Sequence, residues 1–156
     1  MDNDPVVIEK LYNASIEKLW DALTNPAQMK QWYFDIPAFK PEVGFEFQFY
    51  GEGKTGEKFL HLCRITDAVK NKKLRHSWSY DGYEGNSFVT FELFDEGTDT
   101  RLKLTHEGLE TFPVTATDDF AKANFQEGWN HITGISLKEF VRKIKTDETT
   151  IEFPAL

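Results

Sequence analysis

Apolar and polar residues alternate at every second position over several stretches of the chain, and elsewhere the apolar spacing switches to three and four. Val6 to Tyr12 is rich in β-branched residues and bounded by Pro5 and Asn13, which reads as a strand. Ser15 then caps a helix to about Leu23 or Thr24. Glu17 sits in its first turn, and Ile16, Leu19, Trp20 and Leu23 recur at helical spacing. Asn25-Pro26 is a second cap with proline at the first helical position, predicting a short helix to about Trp32. Phe45, Phe47 and Phe49 alternate with Glu46, Gln48 and Tyr50, so one face of the next strand is all Phe. Phe59 to Val69 reads as a strand with room for a bulge, and Asn71-Lys72-Lys73 turns the chain. Leu74, His76, Trp78 and Tyr80 share one face of the strand after it. Val89, Phe91 and Leu93 share a face of the next, and Leu102, Leu104 and His106 a face of the last, which Gly108 closes.

Thr117 is expected to cap a long helix, with Asp118 and Asp119 in its first turn and apolar spacing to about Ile144. At about 100° per residue, Phe125, Thr133, Ser136 and Phe140 fall within about 40° of Trp129, flanked by Ile132 and Ile144. This face must meet the sheet, and two hydroxyls lie in the middle of it. Either each bonds a carbonyl one turn back, or the helix stands off the sheet over a partly wet cavity. Residues 146–156 read as a tail, polar from Thr146 to Thr150, whose Ile151 and Phe153 dock in extended form on a sheet edge of the same body or of a second copy. Strand, two helices, five strands and one long helix predict an α+β fold with an antiparallel sheet.

Composition narrows the classes. A chain of 156 residues fits one domain, taken here as 1–156 with a core of about 6–145. Hydrophobic residues at 40% and charged ones at 28% argue against wholesale disorder. No stretch approaches the ~20 apolar residues of a spanning helix, so no membrane insertion is expected. The net charge of −8 opposes a phosphate backbone, so no nucleic acid partner is expected either. Aromatic residues reach 15%, with 14 Phe, 5 Tyr and 4 Trp, which either pack a bulky core or line an apolar cavity. Cys63 is the one cysteine, so no internal disulfide forms. The acidic start is not a signal peptide, and a cytoplasmic protein is the default expectation.

Candidate chemistry is sparse. Gly51-Glu52-Gly53-Lys54-Thr55-Gly56 matches the dinucleotide glycine pattern by letter, but its loop joins two predicted strands, whereas phosphate binding needs a loop that opens a helix. A hairpin loop is the reading adopted. His61, His76, His106 and His131 make no short ligand spacing, so neither metal nor cofactor is expected. His131 falls on the solvated side. His76 and His106 share strand faces with large apolar residues, as half-buried histidines with satisfied nitrogens or as polar anchors for a ligand. Cys63 reads as a packed thiol. Neither a nucleophile elbow nor a recognisable catalytic triad or carboxylate pair is visible.

Several segments resemble the START-like (SRPBCC) superfamily, in the branch named after the activator of the heat-shock-protein-90 ATPase. Asn13 to Pro26 with Gln31-Trp32 is similar to that family's amino-terminal signature. Lys73-Leu74 leading to Trp78, Leu104-Thr105-His106-Glu107-Gly108-Leu109, and Gly128-Trp129 are similar to its later landmarks. The resemblance implies a helix-grip fold, a curved antiparallel sheet around a long carboxyl-terminal helix, with two short helices after the first strand. It also implies a cavity between helix and sheet that relatives use for lipids, polyketides, hormones or other apolar molecules. Thr133 and Ser136 stand where the family usually places aliphatics, which makes the wall more polar.

Three functions follow as expectations. The first is non-enzymatic binding of a small, largely apolar molecule, with Trp129, Thr133, Ser136 and Phe140 facing the cavity from the helix. Phe47, His76, Trp78, Phe91, Leu104 and His106 would face it from the sheet, and Trp32 from the short helices. The second is a cyclase- or hydrolase-type enzyme using the same cavity with His76 or His106 as acid or base. The third is a protein-interaction module, in which a chaperone partner, lipid binding and stress response rest on the family name alone. Monomer and homodimer both remain open.

Overall fold

Pro26 at a helix start, Asn71 in a turn and glycine after the last strand each mark a boundary that the backbone obeys. The computed structural model describes residues 3–152 in backbone and 3–144 in side chain. Strand β1 (Val6–Tyr12) leads into α1 (Ile16–Thr24), where Ser15 Oγ accepts from the Lys18 amide at 3.3 Å. Asn25 Oδ1 accepts from the Ala27 amide at 2.9 Å and starts α2 (Pro26–Trp32). These caps satisfy amides that have no partner inside the helix.

Five strands follow: β2 (Glu46–Glu52), β3 (Lys58–Val69), β4 (Lys73–Tyr80), β5 (Ser87–Asp95) and β6 (Thr100–Glu107). The six form one antiparallel sheet in the order β1-β6-β5-β4-β3-β2. The first strand therefore returns to pair with the last, from Val6 opposite His106 to Tyr12 opposite Thr100. A bulge between Ile65 and Asp67 breaks the β3–β4 register, where the sequence left room for one. Asn71 adopts φ of 63° in the turn, a left-handed conformation that asparagine tolerates. Leu74, His76, Trp78 and Tyr80 are all buried, and their strand neighbours are half-buried. The concave face of the sheet thus carries the large apolar side chains onto the helix, which is the helix-grip architecture.

Three expectations fail in the long helix. Thr117 caps only a 3-10 turn, Asp118–Phe120, and Ala121 is extended before α3 (Lys122–His131) begins. The reason is that the Asp119 carboxylate is taken up by the β2–β3 hairpin, where Oδ1 accepts from the Lys54 amide at 3.0 Å. Second, α3 does not run directly into α4 (Leu137–Glu152): Ile132–Ser136 form a π-helical segment in which the Leu137 amide donates to the Ile132 carbonyl. The Thr133 carbonyl, which an uninterrupted α-helix would pair with that amide, instead accepts the Tyr12 hydroxyl at 2.6 Å. The wide turn acts as one inserted residue. Leu137, not Ser136, therefore becomes completely buried, while Ser136 is partly exposed and Thr133 and Phe140 stay buried. Third, Ile151 and Glu152 are helical rather than extended, because the polar run from Thr146 to Thr150 contains neither proline nor glycine to end the helix. The expected docking of Phe153 falls on residues 153–156, which lie outside the described residues.

The one-residue shift has a measurable consequence. Leu137→Ala should lower unfolding free energy by about 2–5 kcal/mol, whereas Ser136→Ala should change it by about 0.5 kcal/mol or less. Urea unfolding of the two variants checks the helix phase, and equal losses would contradict it.

Candidate functional site

Most of the volume between helix and sheet is filled. Trp129 on α3 is 3% exposed, and its Nε1–H donates to His106 Nδ1 on β6 at 3.0 Å. A tryptophan N–H only donates, so Nδ1 must carry the lone pair and the neutral ring its proton on Nε2. That nitrogen lies 2.8 Å from Ser87 Oγ, and Ser87 passes its own proton to the Trp78 carbonyl at 2.9 Å. Every polar atom of this chain is used. Thr133 Oγ1 donates to the Trp129 carbonyl at 2.7 Å, the one-turn-back bond that the sequence offered as one of two readings. His76 Nδ1 donates to the Ser77 carbonyl at 2.8 Å, and Trp32 Nε1 to the Ala22 carbonyl at 2.9 Å.

The open space lies to one side of this filled centre. A cavity of about 560 Å³ sits between the carboxyl-terminal half of α3 and the β2–β3 hairpin. Of the residues expected to line it, Trp78 and Trp129 do. Trp32, Phe47, His76 and Phe91 are buried in the packing beside it, as are Leu104, His106, Thr133 and Phe140. Ser136 is partly exposed on the helix and borders none of it.

The rest of the wall consists of residues that were not among the expected lining. Phe34, Phe59, Phe120 and Phe125 bring aromatic rings to it. His61 and Tyr80 bring polar groups. His61 lies on the inward face of β3 with Phe59, Cys63 and Ile65, and that period of two was visible in the chain. Its ring stacks on Phe49 at 4.5 Å and meets Tyr80 edge-on at 4.7 Å. A Cβ at Gly51 would fall 2.7 Å from His61 Cε1, so glycine lets the imidazole lie against the hairpin backbone. The Tyr80 oxygen accepts the Trp78 Nε1–H at 2.9 Å. Tyr33 stacks between Trp32 and Trp129, and its hydroxyl is buried with no partner among the described residues.

The mouth is strapped by the Asp119–Lys54 bond, and the hairpin approaches so closely there that a Cβ at Gly53 would lie 2.5 Å from Asp119 Oδ2. The glycine loop thus joins strand to strand, with no helix behind it to face a phosphate. Glu52, Lys54, Asp119 and Glu127 set the charge of the rim, which is net acidic. Among the described residues no His, Cys, Asp and Glu converge as a metal-ligand set.

Burial dominates the titration of the interior. It pushes His61 and His76 down to about 4, against their bonds to backbone carbonyls. His106 is pushed down to about 3 by burial, reinforced by the two other histidines. The Cys63 thiol and the Tyr80 and Tyr33 hydroxyls are pushed up by burial. The three imidazoles are neutral at pH 7 and serve as fixed dipoles rather than as charges.

Neutral burial of three histidines makes the fold acid-sensitive. Each is protonated below about 6.5 when unfolded and resists protonation until about 3 to 4 when folded. The unfolded state therefore binds more protons in this window, and stability falls with falling pH. The slope is about 1.4 kcal/mol per pH unit for each histidine. Urea midpoints measured from pH 7 to pH 5 should drop steadily, and a flat profile would show that the histidines are not buried neutral.

The geometry matches known proteins. Residues 13–142 match the model of the family described as activator of Hsp90 ATPase homolog 1-like protein. The crystal structure of MLL2253 from Mesorhizobium loti is similar over 89% of this chain and 97% of its own, at 26% identity and a TM-score of 0.71. Mll3558 from Rhizobium loti superposes over 88% and 96% at 21% identity, TM-score 0.73. The solution structure of BH1534 from Bacillus halodurans does so over 90% and 95% at 25% identity, TM-score 0.65. No curated protein matches the chain. No helix among the described residues is long and apolar enough to cross a membrane. With the family model covering most of its length and the helix-grip sheet in place, this chain belongs to the activator of Hsp90 ATPase homolog 1-like family.

Proposed function

We propose that the protein binds a small, largely apolar molecule in the cavity beside Trp78 and Trp129. The observation that carries this reading is the lining: about 560 Å³ of space, open on one side, with aromatic rings forming most of its inner wall and His61 and Tyr80 set among them. A chain that could have filled this end as it fills the centre leaves it open. The enzyme reading finds less support, because His76 and His106 are engaged in the packed interior and do not border the cavity. Docking of a partner protein has a smaller foothold, in Leu11 and Ile135, which are 48% and 51% exposed beside a surface depression near the π segment. A single buried thiol, Cys63, fits a reducing compartment, so this reading places the protein in the cytoplasm.

Gly128 offers a test. It lines the cavity from α3, and a Cβ added there meets nothing within 4 Å. Gly128→Leu should fill the space, and removing a helix-interior glycine should hold or raise stability. Nile red, a neutral dye whose emission rises in apolar surroundings, should bind the unmodified protein saturably and lose at least tenfold in affinity for the variant. Equal binding by both proteins would move the ligand site elsewhere.

A further inference from the structure

Resting on that reading, we propose that the ligand is an uncharged, flat aromatic molecule carrying an oxygen that accepts a hydrogen bond from the Tyr80 hydroxyl. The walls select for flatness. Trp78 and Trp129 stand 5.6 Å apart at 57°, and Phe59 and Phe120 stand 5.4 Å apart at 53°. These rings are held by further rings behind them, such as Phe49 against Trp78 and Phe112 against Phe120. They present fixed faces and edges, which favour a guest that stacks offset or meets them edge to face.

Tyr80 supplies the polar point. Tyr80 lines the cavity, and its oxygen already accepts from Trp78 Nε1–H, which holds the hydroxyl in one orientation. Its own proton has no acceptor among the described residues, although buried tyrosine hydroxyls usually find one. A carbonyl, ether or phenol oxygen on the guest would complete it. An anionic oxygen would meet the same donor, but it must pass and face the acidic rim. There Glu52, Asp119 and Glu127 outnumber Lys54, on a protein of net charge −8. Like charge and loss of hydration both oppose a carboxylate guest. Stacking, one donor and an acidic gate together define a neutral oxygenated arene.

Three probes of one size separate the terms: 2-naphthol, 2-methylnaphthalene and 2-naphthoate, each measured by equilibrium dialysis at pH 7. The hydrocarbon is the more apolar of the two neutral probes, so partitioning alone would favour it. We expect the reverse, with 2-naphthol bound about 3- to 10-fold more tightly than 2-methylnaphthalene, the range of one net hydrogen bond. The naphthoate should bind weakest and should not improve at low salt. In Tyr80→Phe the preference for 2-naphthol should vanish while 2-methylnaphthalene binds as before. Equal binding of the two neutral probes by the unmodified protein overturns the oxygen assignment but leaves the cavity as a binding site. Tightest binding of the naphthoate overturns the charge rule. A 2-naphthol preference that survives in Tyr80→Phe overturns the role of that hydroxyl. Binding of none of the three, with Nile red also excluded, removes the cavity reading altogether. Because Tyr80→Phe leaves Trp78 Nε1–H without its acceptor, that variant is checked by circular dichroism. The probe series on the unmodified protein decides the question even if it does not fold.

Discussion

An imidazole enclosed by apolar side chains must have both ring nitrogens matched, one by a donor and one by an acceptor. His106 meets that demand from two directions. Trp129 on the helix donates to one nitrogen and Ser87 on the neighbouring strand receives from the other. The helix cannot slide or roll on the sheet without breaking the match, and an unmatched buried polar atom costs about 1–3 kcal/mol. Aromatic packing would tolerate several positions of Trp129. The hydrogen-bond chain from Trp129 through His106 and Ser87 to the Trp78 carbonyl permits one. The same chain explains why the centre of the grip is full and the opening lies off centre. With Trp78 and Trp129 locked side by side, the remaining space is what they leave toward the hairpin.

The second fixed point is at the other side of the helix. Tyr12, on the first strand, reaches the Thr133 carbonyl that the wide turn releases. A buried tyrosine hydroxyl and a helix carbonyl without its usual amide solve each other's problem. Lys138 adds to this corner, donating to the Leu11 carbonyl and lying over the Tyr12 ring. So the helix is pinned to β6 through a side chain and to β1 through its own backbone. The first and last strands of the sheet, which are neighbours, carry both anchors.

What the chain displayed in advance follows from which forces are local. Strand faces such as Leu74, His76, Trp78 and Tyr80 were legible because alternation is imposed by the pleat alone. Ser15 and Asn25 were legible because a cap acts on amides two or three residues away. The candidate site was legible only in Trp78 and Trp129, and the cavity's edge was not. Asp119 looked like a first-turn acid, but a hairpin more than sixty residues earlier in the chain recruits it. Phe120 and Phe59 carry no local mark of meeting each other. His61 could have been found, since it shares the inward phase of Phe59 and Cys63. The wheel held for Thr133 and Phe140 but failed at Ser136, because it assumes a constant twist, and the π segment's released carbonyl is taken up by Tyr12, a residue remote from it in sequence.

That wide turn also bears on how relatives are to be compared. A π segment is what a helix does with one residue too many: it keeps the flanking faces in place by bulging. A relative with a residue fewer between Ile132 and Ser136 could run straight and still present its counterpart of Leu137 to the sheet. An alignment that forbids gaps inside helices would then pair Leu137 with the wrong neighbour and shift every position after it by one. Conserved core positions would look variable and surface ones conserved. At identities of 21 to 26%, as for two of the solved structures, too few identical residues remain to reveal such an offset.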